Sequence, residues 1–209
     1  MKKFLLAIIA LFCSVSSFGQ YSSGGFDLDK ENVYYGVRFG GTLASISGDV
    51  SVGTKVGLTL GGVVGLRLST SSPVFLESGL YYTQRGAKDG DYEVTHNNLE
   101  IPLVVKYGFK ATDEIALLPF IGPYFALGIA GDLEYEKLNA ATNQTEKMKE
   151  SVFDNFLNRN DMGFKLGCGM EYNMLYLEVA YQLGVTNIAD DDDFSIHANQ
   201  LSINFGVNF

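Results

Sequence analysis

The last eleven residues read Asn199-Gln200-Leu201-Ser202-Ile203-Asn204-Phe205-Gly206-Val207-Asn208-Phe209. On an extended chain Leu201, Ile203, Phe205, Val207 and Phe209 share one face, while Gln200, Ser202, Asn204, Gly206 and Asn208 share the other. Successive strand side chains point to opposite faces, so this period of two predicts a strand with one apolar side. Working back, the pattern recurs. Leu175, Leu177, Val179, Tyr181, Leu183 and Val185 oppose Tyr176, Glu178, Ala180, Gln182 and Gly184. Met162, Phe164, Leu166, Cys168 and Met170 oppose Gly163, Lys165, Gly167, Gly169 and Glu171. Leu99, Ile101, Leu103, Val105, Tyr107 and Phe109 oppose Glu100, Pro102, Val104, Lys106 and Gly108.

Nearer the N-terminus, Val33, Tyr35, Val37 and Phe39 alternate with Tyr34, Gly36, Arg38 and Gly40, and Val56, Leu58, Leu60, Val64 and Leu66 with Gly57, Thr59, Gly61, Gly65 and Arg67. In 74–85, Leu76, Leu80 and Tyr82 oppose Glu77, Gly79, Thr83 and Arg85. The stretch 117–130 is a strand whose register stays open, because Leu118, Phe120 and Tyr124 compete with Ile121, Phe125, Leu127 and Ile129. The expected strands are therefore about 33–44, 54–69, 74–86, 98–110, 117–130, 161–172, 175–187 and 198–209.

A soluble sandwich or a lipocalin-like barrel also shows alternation. Three features point instead to a membrane barrel. The strands are longer than the usual ~5–6 residues and match the ~9–11 needed to cross a bilayer at a tilt. Their apolar face is nearly free of charge. The connections also alternate in length. Those at 70–73, 111–116 and 173–174 are short; those at 45–53, 87–97, 131–160 and 188–197 are longer, as between the two rims of an outer-membrane barrel. The expected fold is all-β: an eight-stranded antiparallel up-and-down transmembrane β-barrel over 33–209.

Composition agrees. The 209 residues include 24 Gly, 15 Phe, 12 Tyr and no Trp, and carry a formal charge of −9. Such acidity disfavours a nucleic-acid partner, and no run of 18 apolar residues marks a membrane helix. Residues 1–19 have a basic start, the apolar run 4–12 and small residues Ser17 and Gly19, the layout of a cleaved signal peptide, followed by a short periplasmic segment, 20–32. Its removal takes Lys2 and Lys3 away, leaving 13 basic against 24 acidic residues, a net of −11. Cys168 is then the only cysteine and no internal disulfide can form.

With the apolar face toward lipid, the charged residues of the strands face the lumen. The expected ion-pair set is Arg38, Arg67, Arg85, Lys106 and Lys165 with Glu77, Glu100, Glu171 and Glu178. Eight strands enclose a space that side chains just fill, so a plugged cylinder is expected. A small porin-like channel and a soluble lipocalin-like binder are the competing readings. Tyr35, Tyr82, Tyr107, Phe109, Tyr172, Tyr181 and Phe209 fit interfacial girdles.

Chemistry is sparse. His96 and His197 fall in expected outer loops without metal-ligand spacing. Asp190 to Asp193 reads as a solvated acidic loop, since contiguous aspartates lack the calcium-loop spacing. Asp193, Ser195 and His197 do not form an ordered triad from one strand. No catalytic residue, cofactor or metal is expected, and the protein is read as non-enzymatic. Residues 132–160 read as a polar loop, partly helical near Thr145 to Phe156; the loops 131–160 and 188–197 are where envelope or secretion-system partners would bind.

Six segments carry a family resemblance: Tyr35-Gly36-Val37-Arg38-Phe39-Gly40, 77–86, Leu99-Glu100-Ile101-Pro102-Leu103, Gly122-Pro123-Tyr124, 158–163 and 181–188. Together they resemble the PorT-like outer-membrane β-barrel proteins common in Bacteroidota. The resemblance implies an eight-stranded barrel in outer-membrane lipid and no particular activity, although a few relatives act in protein secretion. The terminal Phe209 is similar to the aromatic signal read by the barrel-assembly machinery.

Overall fold

The computed structural model describes residues 32–48, 52–89, 92–139, 144–152, 158–188 and 196–209. The expected signal peptide and the run Asp190 to Asp193 lie outside them. The strands are β1 (Val33–Gly48), β2 (Val52–Arg67), β3 (Val74–Asp89), β4 (Tyr92–Tyr107), β5 (Phe109–Lys110), β6 (Ile115–Asn139), β7 (Gln144–Ser151), β8 (Asn160–Tyr172), β9 (Leu175–Gly184) and β10 (Ile196–Asn208). β1 pairs with both β2 and β10, and β4 closes onto β6, so β1, β2, β3, β4, β6, β8, β9 and β10 form a closed antiparallel cylinder. β5 is a two-residue addition to the edge of β6, and β7 pairs with the far end of β6.

The alternation sorts as lipid chemistry requires. Phe39, Leu60, Leu103, Ile121, Val179, Ile203 and Phe205 are exposed, while Arg38, Glu77, Glu100, Lys106 and Glu178 are buried inside. In hydrocarbon every backbone N–H and C=O must find a protein partner, which only a closed wall provides. The open register of 117–130 resolves with Leu118, Phe120, Tyr124 and Ala126 inside and Ile121, Phe125, Leu127 and Ile129 outside. Inside, large rings sit against glycines across the ladder. Tyr34 faces Gly65, Tyr81 faces Gly61 and Phe120 faces Gly167. A Cβ at any of these glycines would run into the ring it faces.

Several expected ends move. The loops expected at 45–53 and 87–97 are largely strand, because β1 runs to Gly48, β2 starts at Val52, β3 runs to Asp89 and β4 starts at Tyr92. Polar residues fall at both odd and even positions in these ends, so no apolar alternation marks them and the sequence reads them as loop. The helix expected near Thr145 to Phe156 is instead strand from Gln144 to Ser151, registered against Asp132 to Asn139; extended pairing satisfies its backbone where an isolated turn of helix would stay marginal. His197 is likewise in β10, opposite Ser47. Of the expected girdle residues, Tyr35, Tyr107, Phe109, Tyr172 and Phe209 lie at the short-turn rim, with Tyr107 and Phe109 rings 4.6 Å apart. Tyr82 and Tyr181 lie further along their strands, opposite Leu60 and Leu201.

The wall has an interruption. Between β3 and β4 the ladder skips from Ser78–Leu103 to Tyr81–Glu100, and between β4 and β6 from Pro102–Tyr124 to Val105–Ile121, without change of register. Pro102 and Pro123 lack the N–H that the ladder needs there. The Ser78 hydroxyl donates to the Pro102 carbonyl at 2.9 Å, recovering one bond.

Two local tests follow. Asn173 holds φ 55° in the two-residue turn between Tyr172 and Leu175, a conformation that asparagine tolerates and β-branched residues do not. Asn173→Val is expected to cost about 1–3 kcal/mol and Asn173→Gly much less, read from urea midpoints of refolding into vesicles. Cys168 is exposed on the lipid-facing wall, registered between Pro119 and Val179. A charged, membrane-impermeant maleimide should leave it unmodified in folded, vesicle-embedded protein and react once urea unfolds the barrel; rapid reaction of the folded form would place this wall in water.

Candidate functional site

The lumen holds two clusters of charge. At the short-turn end, Glu77 is the centre of one half. Its Oε2 accepts from the Tyr34 hydroxyl at 2.6 Å and lies 3.8 Å from the Arg38 guanidinium, and its Oε1 lies 2.8 Å from Lys106 Nζ. Lys106 also donates to the Tyr176 hydroxyl at 2.7 Å, which donates to Glu178 Oε2 at 2.9 Å. Glu178 Oε1 receives Lys165 at 3.1 Å and the Asn204 amide at 3.1 Å. Arg38 stacks its Cζ 3.8 Å from the centre of the Tyr176 ring and donates to the Asn208 side-chain oxygen. The Asn208 amide in turn donates to Glu171 Oε2 at 2.6 Å.

The second cluster centres on one residue. Arg85 donates from Nη1 to Asp161 at 2.7 Å, from Nη2 to Glu100 and to Gln182 at 2.9 Å each, and from Nε to Gln200 at 3.0 Å. The Gln182 amide donates to the second Glu100 oxygen, and the Tyr124 hydroxyl to Asp161 at 3.1 Å. One guanidinium therefore ties β3 to β4, β8, β9 and β10, five of the eight wall strands. Its planar fork of five donors suits such a junction better than an ammonium would. Between the clusters lies an apolar layer of Val104, Phe120 and Ala180. At the short-turn end Tyr34, Phe75, Ala116, Leu118 and Tyr176 pack together.

Of the nine residues proposed as lumen partners, eight are buried inside: Arg38, Glu77, Arg85, Glu100, Lys106, Lys165, Glu171 and Glu178. Arg67 is not with them. It is the last residue of β2, half-buried at the short-turn rim, and its Nε donates to the Ser69 carbonyl at 2.8 Å. Its register is inward, but strand-end position places it beyond the clusters. Asp161 takes a carboxylate role that the sequence reading does not assign, although it opens the expected strand 161–172 on the inward-facing side. The buried charged groups of the two clusters are Arg38, Arg85, Lys106 and Lys165 against Glu77, Glu100, Asp161, Glu171 and Glu178. Tyr34, Tyr81, Tyr124 and Tyr176, all buried inside, are also left out of the expected set, which is built from charged residues alone.

His96, expected in a loop, is buried on the inward face of β4 in the row of Arg85. His197 Nδ1 lies 3.2 Å from the Thr186 carbonyl; Asp193 and Ser195 lie outside the described residues. No group of three or more His, Cys, Asp or Glu that could hold a metal occurs among the described residues. Chemically, the arrangement cross-links the wall and fills its interior.

The family model described as "Outer membrane protein beta-barrel domain" matches residues 5–209. Among solved structures, Neisserial surface protein A is similar at a TM-score of 0.50 and 14% identity, over 86% of this chain and 100% of that one. A major outer membrane protein of Thermus thermophilus scores 0.49 at 14% identity, covering 86% of this chain and 100% of its own. OprG of Pseudomonas aeruginosa scores 0.47 at 14% identity, covering 88% and 99%. No curated protein matches.

Proposed function

Because the chain belongs to the outer membrane protein β-barrel domain family, residing in outer-membrane lipid, we propose that it is a non-enzymatic barrel with a side-chain-filled lumen. It presents its loop rim to other envelope components and carries no solute flux. The observation that supports this reading is the Arg85 junction, which joins five strands across the interior through Asp161, Glu100, Gln182 and Gln200. With the Val104–Phe120–Ala180 layer and the Glu77–Lys106–Glu178 cluster beneath it, a permeating ion would have to break several charge-assisted bonds in succession. Each of those is worth about 1.5–3 kcal/mol.

Planar-bilayer recording of the purified barrel is the test. The plugged reading expects no reproducible unitary steps; regular steps in every preparation would make it a small porin. For partners, the loops 131–160 and 188–197 are the proposed contact region, with secretion or envelope proteins as the class suggested by the PorT-like resemblance. Deleting the gene and profiling surface proteins would test that role, an unchanged surface proteome counting against it. Export through cleavage after Gly19, and assembly directed by Phe209, belong to the same reading. N-terminal sequencing of the membrane form should begin at Gln20, and loss of Phe209 should lower outer-membrane yield.

A further inference from the structure

We propose that the outer wall binds a single phospholipid acyl chain of the periplasmic leaflet, in a groove crossing β8, β9, β10 and β1. The groove has a volume of about 630 Å³. Register explains its shape. Tyr172, Leu175, Val207 and Val37 form one continuous row around the barrel, and Met170, Leu177, Phe205 and Phe39 form the next. Val37 and Leu177 are half-buried and make the floor. Phe39 and Phe205, with ring centres 6.1 Å apart, stand up as one bank, and exposed Tyr172 and Leu175 as the other. Four strands at ~4.8 Å spacing give the groove a length of roughly 15 Å around the wall.

The occupant follows from the groove's setting. It is continuous with the lipid-facing wall, and the residues of both banks are apolar or aromatic. It lies at the short-turn end, next to the turn at Asn173 and the rim aromatics Tyr35 and Phe209. Short turns mark the periplasmic side, so the neighbouring lipid is a phospholipid of that leaflet. A second copy of the chain is a poorer fit, because a two-fold contact must be self-complementary and a concavity is not complementary to itself. The inference uses the membrane location alone, so it survives even if the plugged-lumen reading fails.

The test is native mass spectrometry of the mature chain released from micelles doped with equal amounts of phosphatidylethanolamine and lipopolysaccharide. Wild type should keep one phosphatidylethanolamine after the detergent is stripped. Val207→Trp, which fills the groove, should lower that population by about tenfold, the effect of losing on the order of ten close carbon–carbon contacts. Leu103→Trp, on the lipid-facing wall of β4 across the barrel, should leave it unchanged. Heat-modifiable migration verifies folding of each variant, and Leu177→Phe serves if Val207→Trp does not fold. Equal retention in wild type and Val207→Trp, retention of lipopolysaccharide instead, or a dimer lost with Val207→Trp would each overturn the proposal.

Discussion

Replacing Arg85 by alanine is expected to lower the barrel's unfolding free energy by about 3–5 kcal/mol, the largest single effect in the lumen. Arg85 is fully enclosed with Glu100 and Asp161, the three side chains being 3%, 2% and 2% exposed. Without the guanidinium, two carboxylates face one another in a space from which water is excluded, and Gln182 and Gln200 lose their donor. The penalty comes from stranded charge more than from lost attraction, since a buried pair is close to neutral against an apolar replacement. The triple variant Arg85→Met, Glu100→Gln, Asp161→Asn should therefore recover most of the loss. Urea unfolding in vesicles, followed by heat-modifiable migration, measures all three proteins. Arg67→Ala, at the rim, should cost no more than about 1 kcal/mol. If Arg85→Ala lost as little as Arg67→Ala, the junction would not hold the wall together.

Val179→Arg is expected to cost about 2–4 kcal/mol, although Arg38, Arg85, Lys106 and Lys165 are already buried in the barrel. Val179 lies on the outer face, 47% exposed, registered between Cys168 and Ile203 near the middle of the wall. A guanidinium there meets hydrocarbon, whereas Lys165 and Glu178 on the inner face meet each other at 3.1 Å. Position on the pleat, and not charge itself, decides the sign. Val179→Lys should behave similarly, and Val179→Leu should be nearly neutral. The urea midpoint in vesicles is again the readout, and an unchanged midpoint for Val179→Arg would mean that this face is in contact with water.

Much of this architecture is legible in the sequence because lipid outside and charge inside enforce a period of two. Leu201 to Phe209 and Leu99 to Phe109 declare their faces without reference to any neighbour. Legibility fails where that pressure ends. Beyond the bilayer both faces of β1, β3 and β4 are polar, so His96 reads as loop although it is buried in strand. It fails also where the inner face is greasy. Leu118 and Phe120 are interior residues that compete with Ile121 and Phe125 for the lipid side and leave the register open, because nothing in a single strand says that the lumen is stacked from apolar and ionic layers. Partner choice is not legible either: Arg85 and Asp161 are 76 positions apart, and only closure of the cylinder brings them to 2.7 Å.

The skipped pairs beside Pro102 and Pro123 bear on how such a cylinder breathes. β4 is unpaired with β3 at Ile101 and Pro102 and with β6 at Leu103 and Val104, so over four residues it is stitched to one neighbour at a time. Thermal fraying of a barrel has no free edge to start from, and this mid-wall stretch supplies the nearest substitute. Deuterium should therefore reach the amide of Leu103, which faces the gap toward β6, sooner than those of Val179 or Ile203 at comparable depth, with the membrane in place and the rims still protected.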